Sequence, residues 1–235
     1  MTIEGLRELT KALDNGVSIA QLFVDETLTD SEEVAEIVRR AADCGGRVFH
    51  VSSRISAKIA YREHPDGLLA VAKQPTWSLH DFKLQSCPLV VVAVGLEKPG
   101  NVGSILRSVD AAGADGVVVC DGCTDLANPN VVRASLGTVF SVQVAQADSD
   151  ETLRWLKKKE IQLVAASPDA SLEYTEIDLR KPTAVVVGPE DSGLSEQWKA
   201  TAHIAAKIPM KGQADSLNVA MATTILLYEA VRQRG

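Results

Sequence analysis

The 235-residue chain has few cysteines, few aromatic residues and no long apolar run. Its apolar stretches fall short of the roughly 18–20 residues that a membrane-spanning helix needs, so an integral membrane protein is not expected. The opening residues, MTIEGLRELTKAL, lack the basic-then-apolar order of a secretory signal, which favours a cytoplasmic protein. With 46% hydrophobic and 23% charged residues, the composition is typical of a globular protein with an apolar core.

The cysteines are too few and too scattered for a disulfide framework. They are Cys44, Cys87, Cys120 and Cys123, of which the last two form a C-x-x-C pair. A zinc site would need two more ligands, and neither a second pair nor a His cluster supplies them. We therefore expect free thiols and no metal.

Positive charge is also scarce, with 24 Lys and Arg against 31 Asp and Glu and a net charge of −7. Nucleic-acid-binding proteins usually carry a basic face, so this balance taken alone argues against such a partner. It does not exclude a local basic patch.

The P-loop and G-x-G-x-x-G signatures are absent as well, which weakens a phosphate-cradling or dinucleotide-binding interpretation.

The pattern of residues 1–76 predicts a small α/β domain. Leu6, Leu9 and Leu13 have helical spacing, and Thr29 and Glu32 have capping-box spacing before a second helix. The other predicted elements of this part are strands over 21–25, 47–51 and 68–73 and a helix over 53–61. The pattern is lost from residue 74, and we predict a linker over 77–87.

The sequence pattern over residues 88–235 predicts a larger α/β domain. The continuous apolar run LVVVAV after Pro88 suits a strand buried on both faces of a parallel sheet. Strands and helices then alternate, which predicts a doubly wound sheet with its site at the carboxyl ends of the strands. The predicted strands cover 116–120, 141–146, 161–166, 183–188 and 203–209, and the helices cover 102–113, 130–137, 150–159, 194–201 and 216–233.

Three polar, glycine-containing loops follow predicted strands. In the first, PGNVGSILRS (99–108), Asn101 could cap the following helix, and Arg107 lies about 1.7 turns further on. Arg107 could equally be a surface salt-bridge residue. In the second, GPEDSGLS (188–195), Glu190 lies between glycines, although an ordinary turn with Ser192 or Ser195 capping a helix would look similar.

The third loop lies in IPMKGQADSLNVAMA (208–222). It places Ser216 and Asn218 near the start of the last predicted helix. There they could cap the helix or offer a hydroxyl and an amide to a ligand.

Together the three loops resemble the motifs of the SpoU, or TrmH-type, branch of the SPOUT RNA methyltransferases. They match in order and spacing, which is far more specific than any one motif, and the segment 128–140 also resembles the family. The resemblance covers roughly residues 88–235. The matching residues are Asn101, Gly103 and Arg107 for N-x-G-x-x-x-R, Gly188, Glu190, Gly193 and Leu194 for G-x-E-x-x-G-[LI], and Ile208, Pro209, Met210, Ser216, Leu217, Asn218 and Val219 for IPM…SLNV.

The resemblance implies a fold and a chemistry. The fold is a small, ribosomal-protein-like α/β RNA-binding domain (1–76) followed by a SPOUT α/β domain (88–235) with a deep trefoil knot. EGLREL, VSSRISAKIA and HPDGLLAV carry the weaker N-terminal likeness. The chemistry is transfer of a methyl group from S-adenosyl-L-methionine to a ribose 2′-hydroxyl of RNA.

The resemblance also implies which residues act. Those implied to bind the cofactor, largely through backbone groups, are Ala166, Ser167, Gly188, Glu190, Leu194, Ile208, Met210, Leu217 and Asn218. Those implied in catalysis are Asn101, Arg107, Glu190, Ser216 and Asn218. In the family Arg107 would be the base. Arginine normally stays charged, so a second role, as a cation that holds a phosphate and the emerging oxyanion, is left open.

The implied partners are RNA and a second copy of the chain, joined through the knotted domain. The RNA-binding residues that we predict are Arg54, Lys58, Arg62 and Arg133, and the first domain also offers Arg39, Arg40 and Arg47. The two-domain layout favours ribosomal RNA, with transfer RNA as the alternative. A non-catalytic RNA-binding module and a nucleotide-dependent oxidoreductase are further alternatives. The intact motifs argue against the first, and the missing G-x-G-x-x-G argues against the second.

Overall fold

The structure is a computed structural model that describes residues 1–28, 30–122 and 124–235. Its strands are β1 (Thr2–Glu4), β2 (Ile19–Asp25), β3 (Arg47–Val51), β4 (Leu68–Ala72), β5 (Leu89–Val94), β6 (Gly116–Cys120), β7 (Gln143–Ala147), β8 (Gln162–Ala166), β9 (Leu172–Glu173), β10 (Thr183–Val187) and β11 (Ile204–Lys207). Its α-helices are α1 (Leu6–Asp14), α2 (Glu32–Asp43), α3 (Ser53–Ile59), α4 (Pro99–Ala112), α5 (Pro129–Ala134), α6 (Thr138–Ser141), α7 (Ser149–Lys158), α8 (Glu196–Thr201) and α9 (Val219–Arg234).

These elements form two compact units. The first comprises Met1–Thr76 and Asp125–Ser141, and the second comprises Trp77–Thr124 and Val142–Gly235. The mixed α/β character predicted for both parts of the chain is confirmed.

The first unit contains a four-stranded sheet in the order β1-β4-β2-β3, in which β4 is antiparallel to its neighbours and β2 pairs parallel with β3. Helices α1 and α2 have one apolar face each and bury it in the core of this unit, through Leu9 and Ile37 among others. The predicted cap Thr29 lies outside the described residues. Helix α2 begins instead after Ser31, whose Oγ accepts from the Val34 N–H at 3.2 Å.

The second unit contains a seven-stranded, all-parallel sheet in the order β7-β6-β5-β10-β8-β11-β9. Every residue of β5, β6 and β10 is buried, as the continuous apolar runs predicted. In such a sheet the carboxyl ends of neighbouring strands meet at one edge, and this edge carries the candidate site.

Two segments pack differently from the domain division expected from the sequence. The stretch 77–87, expected as a linker, contributes Leu79 and Phe82 to the core of the second unit, where Phe82 lies edge-on to Trp155 at 5.6 Å. Helices α5 and α6, expected within the catalytic domain, pack with α1 and β1 of the first unit. Both segments are short and lack a clear period, so the sequence does not show which unit buries their apolar residues.

Arg62, a predicted RNA-binding residue, is held inside the first unit. Its guanidinium forms ion pairs with Glu8 at 2.9 Å and Asp66 at 3.3 Å and donates to the Glu4 carbonyl at 3.0 Å. The Glu4 carboxylate in turn accepts from the backbone N–H groups of Tyr61 and Arg62. This network fixes the chain after α3 against β1 and α1, so Arg62 has a structural role there whatever else it contacts.

We expect Arg62→Ala to destabilise the first unit by about 2–3 kcal/mol, because it leaves the carboxylate of Glu8, only 5% exposed, without its ion pair. The measurement is hydrogen exchange on peptides of β1 and α1, which should exchange about 100-fold faster. Arg54→Ala is the control, because the Arg54 side chain is exposed and forms no ion pair among the described residues. Equal exchange in both variants would contradict the structural role.

Candidate active site

Three loops at the carboxyl edge of the parallel sheet surround a cavity of about 500 Å³. They follow β8, β10 and β11, which are neighbours in the sheet, and cover residues 166–170, 188–195 and 208–218. The walls are mostly backbone and small or apolar side chains, with carboxylates at Asp169, Glu190, Asp191 and Asp215 and one cation, Lys199. Such a cavity has the size and character of a small-molecule site.

The loop after β10 is shaped by two glycines. A Cβ on Gly188 would lie 2.8 Å from the carbonyl carbon and oxygen of Gly193, closer than real Cβ atoms approach a backbone. Gly193 itself has φ +65°, the left-handed region that glycine adopts most readily, and its N–H donates to the Pro189 carbonyl at 3.0 Å. The loop can therefore fold back tightly beside the cavity only with glycine at 188.

The structure brings eight of the nine predicted cofactor-binding residues to the cavity wall. They are Ala166, Ser167, Gly188, Glu190, Leu194, Ile208, Met210 and Leu217. The ninth, Asn218, lies next to the wall residues Leu217 and Val219 and contacts Glu190. Sequence reasoning did not single out the wall residues Asp169 and Asp215, because an isolated Asp in a loop carries no motif.

Glu190 is the centre of a polar network beside this cavity. Its Oε1 accepts from Asn218 Nδ2 at 2.6 Å, from the Val219 N–H at 3.3 Å and from Asn101 Nδ2 at 3.4 Å. Its Oε2 accepts from Lys98 Nζ at 3.0 Å. The bonds from Lys98 and from the Val219 backbone hold the pKa of Glu190 below its ordinary value, so the carboxylate is ionised at neutral pH.

Asn101 and Asn218, both near helix starts, differ in whether they cap a helix. The sequence left open that Asn101 caps a helix, and it does not: α4 begins two residues earlier at Pro99, with Lys98 in the cap position. Proline is well suited to the first turn, which moves the helix start upstream. Asn218, not Ser216, caps α9, because its Oδ1 accepts from the Ala220 N–H at 3.0 Å. Ser195 occupies the cap position of α8 without a side-chain bond.

Lys98 is a member of the network that the sequence did not reveal. It precedes the first motif, and its partner Glu190 lies 92 residues away in the chain. Only the pairing of β5 with β10, which brings the two loops to the same edge of the sheet, makes the contact possible. A lysine three residues before the motif asparagine was the one available signal, and by itself it is weak.

Arg107 and Ser216 lie outside the network. Arg107 is on α4, six residues beyond Asn101, and its side chain is exposed. Ser216 is exposed and lines the cavity. Among the described residues neither side chain forms a hydrogen bond or an ion pair, so both are accessible to a ligand.

The predicted RNA-binding residues belong to the first unit. Arg54 and Lys58 lie on α3 and Arg133 lies on α5, all with exposed side chains, while Arg62 is engaged as described above. They are therefore not part of the cavity at the carboxyl edge of the second unit's sheet.

Cys120 is the only member of the C-x-x-C pair within the described residues, since Cys123 lies outside them. Its thiol is buried at the end of β6, and burial raises its pKa to about 12. Across the described ranges there is no group of three or more His, Cys, Asp or Glu side chains arranged to hold a metal ion. Over the same ranges no helix is long and apolar enough to cross a bilayer.

We expect Asn218→Ser to reduce about 10-fold the methyl transfer that the family resemblance implies, because it removes the amide that binds the Glu190 carboxylate. Serine is as good an N-cap as asparagine, so the stability of α9 is preserved. Asn218→Ala removes both functions and should also cost about 1 kcal/mol of stability. Turnover measured together with thermal unfolding separates the two effects. Loss of activity only in the alanine variant would indicate that the cap alone matters.

Comparisons with known proteins agree with this geometry. Residues 88–228 match the model of the SpoU rRNA Methylase family, and residues 1–70 match that of the MRM3-like substrate binding domain. The chain is 31% identical to the 23S rRNA (uridine(2479)-2′-O)-methyltransferase of Streptomyces viridochromogenes, over 99% of this chain and 82% of that protein.

Solved structures give the same result. The crystal structure of an RNA 2′-O ribose methyltransferase is 42% identical with a TM-score of 0.87, over 100% of this chain and 88% of that one. The AdoMet-bound rRNA methyltransferase from Sinorhizobium meliloti is 33% identical with a TM-score of 0.89, over 98% of this chain and 86% of that one. The chain belongs to the SpoU rRNA methylase family of RNA methyltransferases.

Proposed function

We propose that this RNA methyltransferase transfers the methyl group of S-adenosyl-L-methionine to a ribose 2′-hydroxyl of large-subunit ribosomal RNA. The observation that carries the proposal is the cavity at the carboxyl edge of the parallel sheet, with the Glu190 network beside it. The similarity to a 23S rRNA 2′-O-methyltransferase over nearly the whole chain favours this RNA class over transfer RNA.

The cavity fits the proposed cofactor in size and charge. Its volume of about 500 Å³ lies within the range of sites for molecules of this size. Its walls carry four carboxylates and one lysine, which suits a ligand with a positive sulfonium and an ammonium group. Backbone groups of residues 166–170, Gly188 and 208–217 are available to hold the adenine and ribose.

When bound, the cofactor supplies a methyl group attached to a good leaving group, so the protein's task is to align and deprotonate a weak nucleophile. Asn101, Glu190 and Asn218 form a preorganised polar surface, held by Lys98 and the start of α9. We assign this surface to positioning the ribose. Ser216, exposed on the cavity wall, is available for the same purpose.

For Arg107 the structure favours the role of a cation. The side chain is exposed and forms no ion pair in the described part of the chain, so the guanidinium is available to an anion of the substrate. A free guanidinium can bind a phosphate in bidentate fashion and stabilise negative charge that develops on the 2′-oxygen. The proton then leaves to solvent or to another acceptor in the complex.

We assign the first unit to RNA binding. Arg54 and Lys58 on α3 and Arg133 on α5 are exposed cations within this unit. A truncation that removes residues 1–76 would strip α5 and α6 of the α1 and β1 surfaces against which they pack, so point variants are the cleaner test.

We also propose a homodimer formed through the second unit. Met221 and Tyr228 on α9 are 61% and 48% exposed and lie seven residues apart, on one face of the helix. A second copy would cover this apolar face. The trefoil knot remains a prediction of the family resemblance, and a cytoplasmic location remains a prediction from the sequence pattern.

Two measurements on the full-length protein test the proposal. Calorimetry should show S-adenosyl-L-methionine binding with one site per chain. Labelled methyl groups should then pass to ribosomal RNA from a strain that lacks the gene, and not to ribosomal RNA from the parent strain. Absence of cofactor binding would refute the proposal, and transfer to transfer RNA alone would refute its ribosomal part.

A further inference from the structure

The four-stranded sheet of the first unit has one closed face and one partly open face. On the closed face Leu22, Val24, Leu68 and Ala70 are at most 2% exposed. Because side chains alternate along a strand, their neighbours point to the other side. Helix α3 and the residues after it cover part of that second face, where Ser53 donates to Asp25 of β2 and the Tyr61 N–H donates to Glu4 of β1.

On β2 and β3 this second face carries two aromatic rings and a guanidinium. Phe23 of β2 and Phe49 of β3 are register partners, and their rings are stacked with centroids 5.3 Å apart and planes 18° from parallel. Arg47, two residues before Phe49 on the same strand, lies with its guanidinium carbon 5.7 Å from the Phe49 centroid. The guanidinium lies over the Phe49 ring, and Phe49 is 36% exposed, so part of the ring remains accessible together with the guanidinium plane that covers it.

The exposed charged side chains on this face are positive. The strands of this sheet contain two carboxylates, Glu4 and Asp25, and both are buried. The exposed polar side chains on the open part of the face are Arg47 and the uncharged Thr2, and Lys73 follows directly after β4. In a chain with a net charge of −7, this surface combines cations with aromatic rings and has no exposed carboxylate from its strands.

We propose that Phe49, backed by Phe23, and the guanidinium of Arg47 over its ring form a stacking platform for an unpaired base of the RNA substrate. Aromatic rings and guanidinium planes are the groups on which proteins stack splayed-out bases, and Arg47 also supplies a phosphate contact. The inference rests on the proposed function, because it takes RNA as the substrate. It adds a mode of recognition, in which single-stranded segments are preferred over duplex.

The test compares Phe49→Leu, which keeps an apolar side chain but removes the ring, with the matched control Phe49→Tyr, which keeps the ring. The probes are a fluorescent single-stranded oligoadenylate and an RNA duplex of the same length, each titrated with full-length protein. Phe49→Leu should weaken single-strand binding about 5- to 20-fold, and Phe49→Tyr should leave it unchanged. Duplex binding should change in neither variant.

Arg47→Gln is a second variant that does not disturb the aromatic pair. It should weaken single-strand binding and lower the slope of log K against log salt by about 0.7. Unchanged single-strand affinity in Phe49→Leu, or equal losses for single strand and duplex, would overturn the inference. The inference would also be overturned if Phe49→Leu bound the oligonucleotide normally but bound ribosomal particles more weakly, because that result would indicate that the face docks a protein.

Measurements of cofactor binding and methyl transfer distinguish failure of the stacking platform from failure of the proposed function. If wild-type protein binds S-adenosyl-L-methionine and methylates ribosomal RNA, and Phe49→Leu does so with an unchanged KM for RNA, the platform is refuted while the proposed function stands. If wild-type protein does neither, the proposed function itself fails.

Discussion

Arg107→Ala is expected to reduce methyl transfer about 100- to 1000-fold while the dissociation constant of S-adenosyl-L-methionine changes by no more than a few-fold. The guanidinium is exposed on α4 and has no protein partner among the described residues, so its removal leaves no buried group unpaired. It is also absent from the cavity wall, which is why cofactor binding should survive. Single-turnover transfer to ribosomal RNA and calorimetry measure the two quantities on the same protein.

Arg107→Lys distinguishes the two roles left open by the sequence. Lysine keeps the charge and loses the planar fork, so partial activity would indicate a phosphate or oxyanion holder. If Arg107 were the base, the lysine variant should instead show activity that rises steeply at alkaline pH. Full activity in the alanine variant would remove Arg107 from the mechanism.

Gly188→Ala is expected to weaken cofactor binding about 10- to 100-fold, because the added methyl would lie 2.8 Å from the Gly193 carbonyl group. The obstacle is backbone and cannot rotate away, so the loop 188–195 must move, and with it Glu190. Catalysis should fall further than binding, since the network of Glu190 with Asn101 and Asn218 would be displaced.

Gly212→Ala is the matched control for this substitution. Gly212 also lies in a loop at the carboxyl edge, but a Cβ there meets nothing within 4 Å and its φ is not in the left-handed region. This variant should bind the cofactor as the wild type does. If Gly188→Ala also bound normally, the tight fold of the loop would not be needed for the site.

The strands of the second unit could be predicted from the sequence, because the apolar pattern of each strand is a property of a few consecutive residues. Fully apolar runs such as LVVVAV can only be buried on both faces, and the polar loops that follow them are then placed at one edge of a parallel sheet. Eight residues expected at the cofactor site line the cavity for this reason. The three-residue strand β1 was missed because so short a segment has no recognisable period.

Contacts between residues distant in the chain could not be predicted in this way. The pairing of Lys98 with Glu190 depends on the order of strands in the sheet, and that order does not follow from hydrophobic patterns. The same limit applies to Arg62, which reads as one of several surface cations until the fold places Glu8 and Asp66 beside it. The sequence lists the cations that could bind RNA, and only the folded structure shows which of them already form ion pairs within the protein.

Ribose-methylation mapping tests the central claim most directly. Ribosomal RNA from a strain that lacks the gene should have lost a 2′-O-methyl group at one nucleotide of the large-subunit RNA. The wild-type gene should restore the methyl group, and the Arg107→Ala gene should not. An unchanged ribose-methylation map in the deletion strain, with no methyl transfer from S-adenosyl-L-methionine to its ribosomal RNA by the purified protein, would contradict the account.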